Sequence, residues 1–253
     1  MGPKTKKQLL DEFTPIELSE IAAEYDIAYK RRKKIIESLS KEMKAQEIRQ
    51  RLDFHYKRDK KILLIEGIPK KEGYDETGMI EKLAKMANFE AKRYQPSRKA
   101  EAIDLIRSLD YGLIHISSHG TKGALNFGRI KIMPGDLSTV DRIYSQILTI
   151  GACEVGDKEF MRKIAFSTGI PIIIAPSKLI YFLDSAVFFV IFYHFFFKGL
   201  IKKKKDAYIY GSDIHRRAHS SFEKAKKAIR GFGLTGKIKL FDFTMELSNA
   251  FKY

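Results

Sequence analysis

Ile114-His115-Ile116-Ser117-Ser118-His119-Gly120 and Ile147-Leu148-Thr149-Ile150-Gly151-Ala152-Cys153-Glu154-Val155-Gly156 are the two stretches on which the fold turns. Each is an apolar run that ends in small residues, the pattern of a buried strand running into a tight turn. The first turn presents a histidine, the second the only cysteine of the chain. A thiol and an imidazole at the ends of two strands of one sheet are the parts of a thiol nucleophile with its proton-transfer partner.

The flanking sequence supplies the rest of the sheet. Ile62-Leu63-Leu64-Ile65 is another short apolar run, closed by Glu66-Gly67. Residues 91–94, 112–117, 146–150, 170–175 and 237–243 read as further strands. Leu125-Asn126-Phe127-Gly128 with Ile130-Lys131-Ile132 reads as a small hairpin, and His119 falls in the turn before it. Between the strands, residues 77–88, 99–109, 138–144, 158–167, 185–200 and 221–230 carry helical patterning. Strands alternating with helices predict an α/β sandwich with a mostly parallel sheet. In such sheets functional residues lie beyond the carboxyl ends of the strands, where His119 and Cys153 both fall.

Residues 1–59 have a different texture. Thr14-Pro15-Ile16-Glu17 is a capping box with proline at the first helical position. Ile16, Leu18, Ile21, Ala22 and Tyr25 follow at helical spacing. A second helix is expected over residues 28–51, using Ile35, Ile36, Leu39, Met43 and Ile48. The chain therefore divides into an N-terminal helical hairpin, residues 1–59, and an α/β domain, residues 60–253.

Composition narrows the function classes. Hydrophobic content of 44% can build a real core, so the chain is not of the disordered class. One cysteine excludes an internal disulfide framework and a thiolate zinc cluster, and favours a reducing cytoplasm. The basic start leads into Asp11-Glu12 with no apolar core, so no secretory signal is expected. The aromatic run 185–200 is too short for the ~20 residues that span a bilayer, and reads as a buried helix. Net charge is +16, of which residues 1–61 carry +5, 62–200 carry +3 and 201–253 carry +8. Basic ends of this kind suit nucleic acid, an acidic partner or an anionic surface, or simply a lysine-rich solvated face.

The Ser118-His119-Gly120 turn, the hairpin after it and Gly151-Ala152-Cys153-Glu154-Val155-Gly156 together resemble the CHAT family of caspase-fold cysteine peptidases over about residues 60–230. That family typically carries a strand ending in His-Gly and another ending in Ala-Cys-Glu-Thr-Gly; Val155 stands here where threonine is usual. The histidine precedes the cysteine by 34 residues, against ~50 in caspases. The resemblance implies a caspase-like three-layer sandwich and a cytoplasmic cysteine endopeptidase that cleaves a specific partner protein. It further implies gating by a regulatory protein partner, as in prokaryotic defence or signalling systems. It assigns Cys153 as nucleophile, His119 as the proton carrier and the N–H groups of Gly120 and Cys153 as the oxyanion hole. No third acid, cofactor or metal is implied.

For the pocket that receives the residue before the scissile bond (P1), the resemblance singles out Gly151, two residues before the nucleophile. Caspases place glutamine there and arginine-specific relatives aspartate. Glu154, Glu66 and Asp184 are further acids that could line the pocket, and the expectation leans to a basic or small P1 residue. Each of these acids also has an ordinary structural reading as a cap or loop anchor.

The remaining histidines have quieter readings. His115 is expected to pack in the core, and His194 to be a hydrogen-bonded core residue of the aromatic helix. His215 and His219 stand four apart beside Arg216-Arg217, more as a basic face than as metal ligands. Residues 15–39 resemble the SAP-like helix–extended–helix nucleic-acid modules, without the glycine usual between the helices; docking on the peptidase or on a partner is the other expectation for that segment. Lys202-Lys203-Lys204-Lys205 is the candidate exposed loop for self-cleavage, or an anion-binding loop. Two alternatives to the peptidase remain. One is a catalytically inactive caspase-fold adaptor binding nucleic acid or protein through its basic ends. The other is a nucleotide binder, disfavoured because no Gly-x-Gly-x-x-Gly follows the first strand.

Overall fold

A computed structural model describes residues 3–13, 15–27, 31–137, 146–201, 211–234 and 236–250. Its central sheet has six strands: β1 (Lys61–Glu66), β2 (Glu90–Tyr94), β3 (Leu113–Ser117), β7 (Ile147–Gly151), β8 (Ile172–Pro176) and β9 (Ile238–Asp242), in the order β2-β1-β3-β7-β8-β9. The first five run parallel, and β9 pairs antiparallel with β8. A second sheet of three antiparallel strands is built from β4 (His119–Thr121), β5 (Ala124–Phe127) and β6 (Ile130–Ile132).

Helices cover both faces of the large sheet, which is why its central strands are apolar on both sides. On one face, α5 (Glu76–Met86), α8 (Phe182–Ile201) and α9 (Gly211–Ala228) pack on Ile62, Leu64, Leu113, Ile147, Ile172 and Ile174. On the other, α6 (Lys99–Ile106), α7 (Lys158–Thr168), α10 (Thr244–Ala250) and the small sheet pack on Leu63, Ile65, Ile114, Ile116, Leu148, Ile150 and Ile173. The result is a three-layer α/β sandwich with a mostly parallel sheet, consistent with the caspase-like architecture expected from the sequence. Strand alternation places Ser117 on the α5/α8 face with His115.

Among the described residues the N-terminal region holds four helices, α1 (Lys6–Leu10), α2 (Pro15–Glu24), α3 (Arg32–Glu42) and α4 (Ala45–Asp59), with their own core around Leu10, Leu18, Leu39, Met43 and Ile48. The single helix expected over 28–51 is in fact two. Met43 is extended at φ −85° and ψ 144°, and its N–H donates to the Leu39 carbonyl. The break turns Ile48 and Leu52 back onto the core that Ile35, Ile36 and Leu39 already line. The junction with the sheet is polar and closed. The Gly112 N–H donates to the Arg58 carbonyl at 2.8 Å, and Arg58 bridges buried Glu17 and Asp59 at 3.3 and 3.1 Å.

Other expectations shift. The helix expected over 221–230 begins ten residues earlier, as α9, with Ile214, Ala218, Phe222 and Ala225 on its buried side. His119 opens strand β4 and does not sit in a turn. His194 is exposed, on the side of α8 opposite Phe192, Tyr193 and Phe196, and is not a core histidine. His219 pairs with Asp242 at 2.9 Å. Among the described residues no helix is long and apolar enough to cross a membrane, and no group of His, Cys, Asp and Glu is arranged to hold a metal ion. The helix expected over 138–144 and the Lys202–Lys205 loop lie outside the described residues.

Candidate active site

Strand register brings the two decisive stretches side by side. Ser117 of β3 is level with Gly151 of β7, so the chain leaves both strands in step, and the Ser118 N–H still donates to the Gly151 carbonyl at 3.4 Å. His119 and Cys153 are each two residues further on. The contact between the two segments is made by backbone. A Cβ placed on Gly120 would lie 2.7 Å from Val155 Cγ1 and 3.0 Å from the Cys153 nitrogen, and closer still to the Cys153 carbonyl oxygen. Only glycine fits there.

The β4–β5 hairpin leaves the Gly120 amide unspent. Its two-residue loop, Lys122-Gly123, makes Thr121–Ala124 the hydrogen-bonded pair, with His119–Asn126 the next. Gly120–Leu125 between them is the non-bonded pair, so the Gly120 N–H does not point at β5.

The cysteine loop is held by several bonds. Glu154 adopts a left-handed conformation at φ +57°, and its N–H donates to the Lys178 carbonyl at 3.4 Å. The Gly156 N–H donates to the Pro176 carbonyl at 2.6 Å, so close that a Cβ there would collide with it. Asp157 then caps α7, accepting from Glu159 and Phe160 N–H at 3.0 Å each. The Cys153 thiol, half-buried, donates to the Ile180 carbonyl at 3.1 Å, just ahead of α8. The His119 ring is more than half exposed, and its Nε2 meets Glu72 Oε2 at 3.0 Å. Thiol and imidazole thus stand on adjoining backbone segments, each hydrogen-bonded to a different neighbour.

The other candidates separate. Glu66 is buried and fully occupied: Oε1 accepts from the Ile68 N–H at 3.0 Å, and Oε2 from Thr77 Oγ1 at 2.6 Å and Arg93 at 3.2 Å. It anchors the loop after β1. Asp184 sits in the first turn of α8, partly buried, three residues after Tyr181. Gly151 lies against a residue that sequence reasoning did not single out, Glu76 in the first turn of α5. A Cβ on Gly151 would be 2.6 Å from Glu76 Oε2 and 3.0 Å from Oε1.

Glu76 belongs to a polar layer beneath the two turns. His115 Nε2 is 3.7 Å from Glu76 Oε2, and His115 Nδ1 meets Thr149 Oγ1 at 2.8 Å. Thr149 Oγ1 also meets the Tyr193 hydroxyl at 2.6 Å. Burial pushes the Tyr193 phenol well up from its ordinary range, so it stays protonated. The His115 ring packs edge-on to Phe189 and Tyr193. Glu76 beside the Asp75 cap reads in sequence as an ordinary helix-start acid, and Ser117 as a strand residue. The register of Ser117 and Gly151, two residues before His119 and Cys153, was the signal available. Neither a scan against protein-family models nor a search of curated proteins finds a match for this chain.

Proposed function

We propose that this protein is a cysteine endopeptidase of the caspase-like CHAT type, acting through Cys153 and His119 on a specific partner protein. The observation that carries the reading is the backbone contact between Gly120 and Cys153 at the carboxyl ends of adjacent parallel strands. It brings the backbone that carries the thiol against the backbone that carries the imidazole, beyond the carboxyl ends of neighbouring strands, which supports their acting together.

In this mechanism the Cys153 thiolate attacks the scissile carbonyl, forming a C–S bond while the carbonyl π pair moves to oxygen. The N–H groups of Gly120 and Cys153 stabilise that oxyanion. On collapse the C–N bond breaks, and the imidazolium of His119 gives its proton to the departing amine. The resulting thioester is attacked by water, which yields its proton to His119, and the thiolate leaves with the C–S bond pair. Before this, substrate must draw the thiol from the Ile180 carbonyl and the ring from Glu72. Those two bonds suit an enzyme whose activity another component gates. The basic N- and C-terminal regions are the surfaces we assign to such a component, whether protein or nucleic acid.

The test is proteolysis of a diverse peptide library by wild type, Cys153→Ala and His119→Ala, with cut sites read by mass spectrometry. Cuts that vanish in both variants support the peptidase. Cuts that persist in Cys153→Ala overturn it, and their absence from all three proteins, with Cys153 inert to peptidyl ketones, favours the adaptor.

A further inference from the structure

Glu76 is a buried carboxylate left unsatisfied. The residue is 0% exposed, and neither oxygen has a hydrogen-bond partner among the described residues. The nearest basic nitrogen, His115 Nε2, stands at 3.7 Å, beyond hydrogen-bonding range, and has no partner of its own. The Ser117 and Ser185 hydroxyls are also buried without partners. Buried polar atoms are nearly always paired, and leaving one without a partner is costly. Departures from that rule gather at functional sites.

The placement of these groups says what the site is for. Ser117 and Gly151 are level on neighbouring strands, on the α5/α8 face, and each is two residues upstream of a proposed catalytic residue. Two residues of chain span at most ~7 Å, a reach that the four-carbon lysine stem or the arginine fork has from a scissile bond at Cys153. Any Cβ at 151 would occupy the space against the Glu76 carboxylate, so glycine there leaves the acid at the sheet surface.

We infer that Glu76 is the floor of the P1 pocket and selects substrates with lysine or arginine before the scissile bond, with Ser117 and Ser185 as its further polar lining; this rests on the peptidase reading above. An arginine guanidinium fork or a lysine ammonium supplies the donors that the Glu76 carboxylate lacks. Glu76 is fully buried in this structure, so a substrate must open the site. Tyr74, two residues before Glu76, packs tilted against Phe182, three before Ser185, with ring centroids 4.2 Å apart, and the nearby Ile180 carbonyl holds the Cys153 thiol.

The experiment measures alkylation of Cys153 by peptidyl acyloxymethyl ketones that differ only in P1: lysine, arginine, norleucine or aspartate. In wild type, lysine and arginine are expected to react at least about 100-fold faster than norleucine, their uncharged counterpart, and faster still than aspartate. Glu76→Gln should collapse the lysine-to-norleucine ratio to below about 10. A wild-type ratio near 1, or a preference for aspartate, overturns the assignment without any variant having to fold. A wild-type preference for lysine that Glu76→Gln leaves intact overturns the role of Glu76. If no probe of any P1 labels Cys153, the peptidase reading itself has failed and the pocket assignment falls with it.

Discussion

Replacing Gly120 with alanine should damage both stability and activity, by amounts the geometry bounds. The added methyl would sit 2.7 Å from Val155 Cγ1, about 1 Å inside normal carbon–carbon contact, and nearer still to the Cys153 carbonyl oxygen. Val155 is fully buried and its loop is tied to Pro176 and Lys178, so neither partner moves freely. Overpacking of this kind costs about 1–3 kcal/mol, or about 2–12 °C in Tm for a chain of this size. The strain falls on the segment that carries the nucleophile, and a misplacement of about 1 Å there lowers kcat/KM about 100-fold. The assay pairs thermal unfolding with peptide cleavage. Gly135→Ala is the control: a Cβ there meets nothing within 4 Å, so stability should change by no more than about 0.5 kcal/mol, about 2 °C or less in Tm. A Gly120→Ala protein with wild-type Tm and wild-type cleavage would refute the close approach of the two turns.

Three further expectations follow from particular residues. Burial raises the Asp59 carboxyl to about 8 although Arg58 opposes it, so between pH 4 and 8 the folded chain keeps a proton that the unfolded chain releases, and stability falls as pH rises. Urea midpoints of Asp59→Asn should lack that slope, of order 1 kcal/mol per pH unit; parallel slopes in both proteins would sink the assignment. Burial lowers His215 to about 4, so its own contribution is lost as pH falls from about 6.5 to 4, by up to about 3 kcal/mol and against the contribution of Asp59; the urea midpoint of His215→Leu should therefore rise relative to wild type as pH falls from 7 to 4.5, and a constant difference would refute it. Gly156→Ala should lower Tm by several degrees, since its methyl would meet the Pro176 carbonyl at 2.6 Å; an unchanged Tm would mean the β8 end yields freely.

The parallel strands were legible because burial on both faces writes them as unbroken runs such as Ile62-Leu63-Leu64-Ile65. Cys153, His119 and Gly120 were legible because small residues interrupt those runs at the strand ends. Tertiary contacts hid the rest. The break at Met43 carries no glycine or proline, and only the shared core of α1–α4 accounts for it. Arg216-Arg217 masked the Ile214–Ala218–Phe222 spacing that marks the first half of α9. The aromatic density of α8 drew His194 into an imagined core, although its neighbours on that side are charged or partly exposed. Glu76 is one acid among many in sequence. Its meaning comes from α5 crossing the sheet at Gly151, a placement no local pattern records.

Covalent trapping tests the central claim most directly. The native protein is treated with a mixture of peptidyl acyloxymethyl ketones, and intact-mass and peptide mapping locate the adduct. The account predicts a single thioether on Cys153, forming at least about 100-fold more slowly in His119→Ala. No adduct under conditions that saturate a known cysteine peptidase, or one that forms equally fast without the His119 imidazole, would contradict a shared catalytic site.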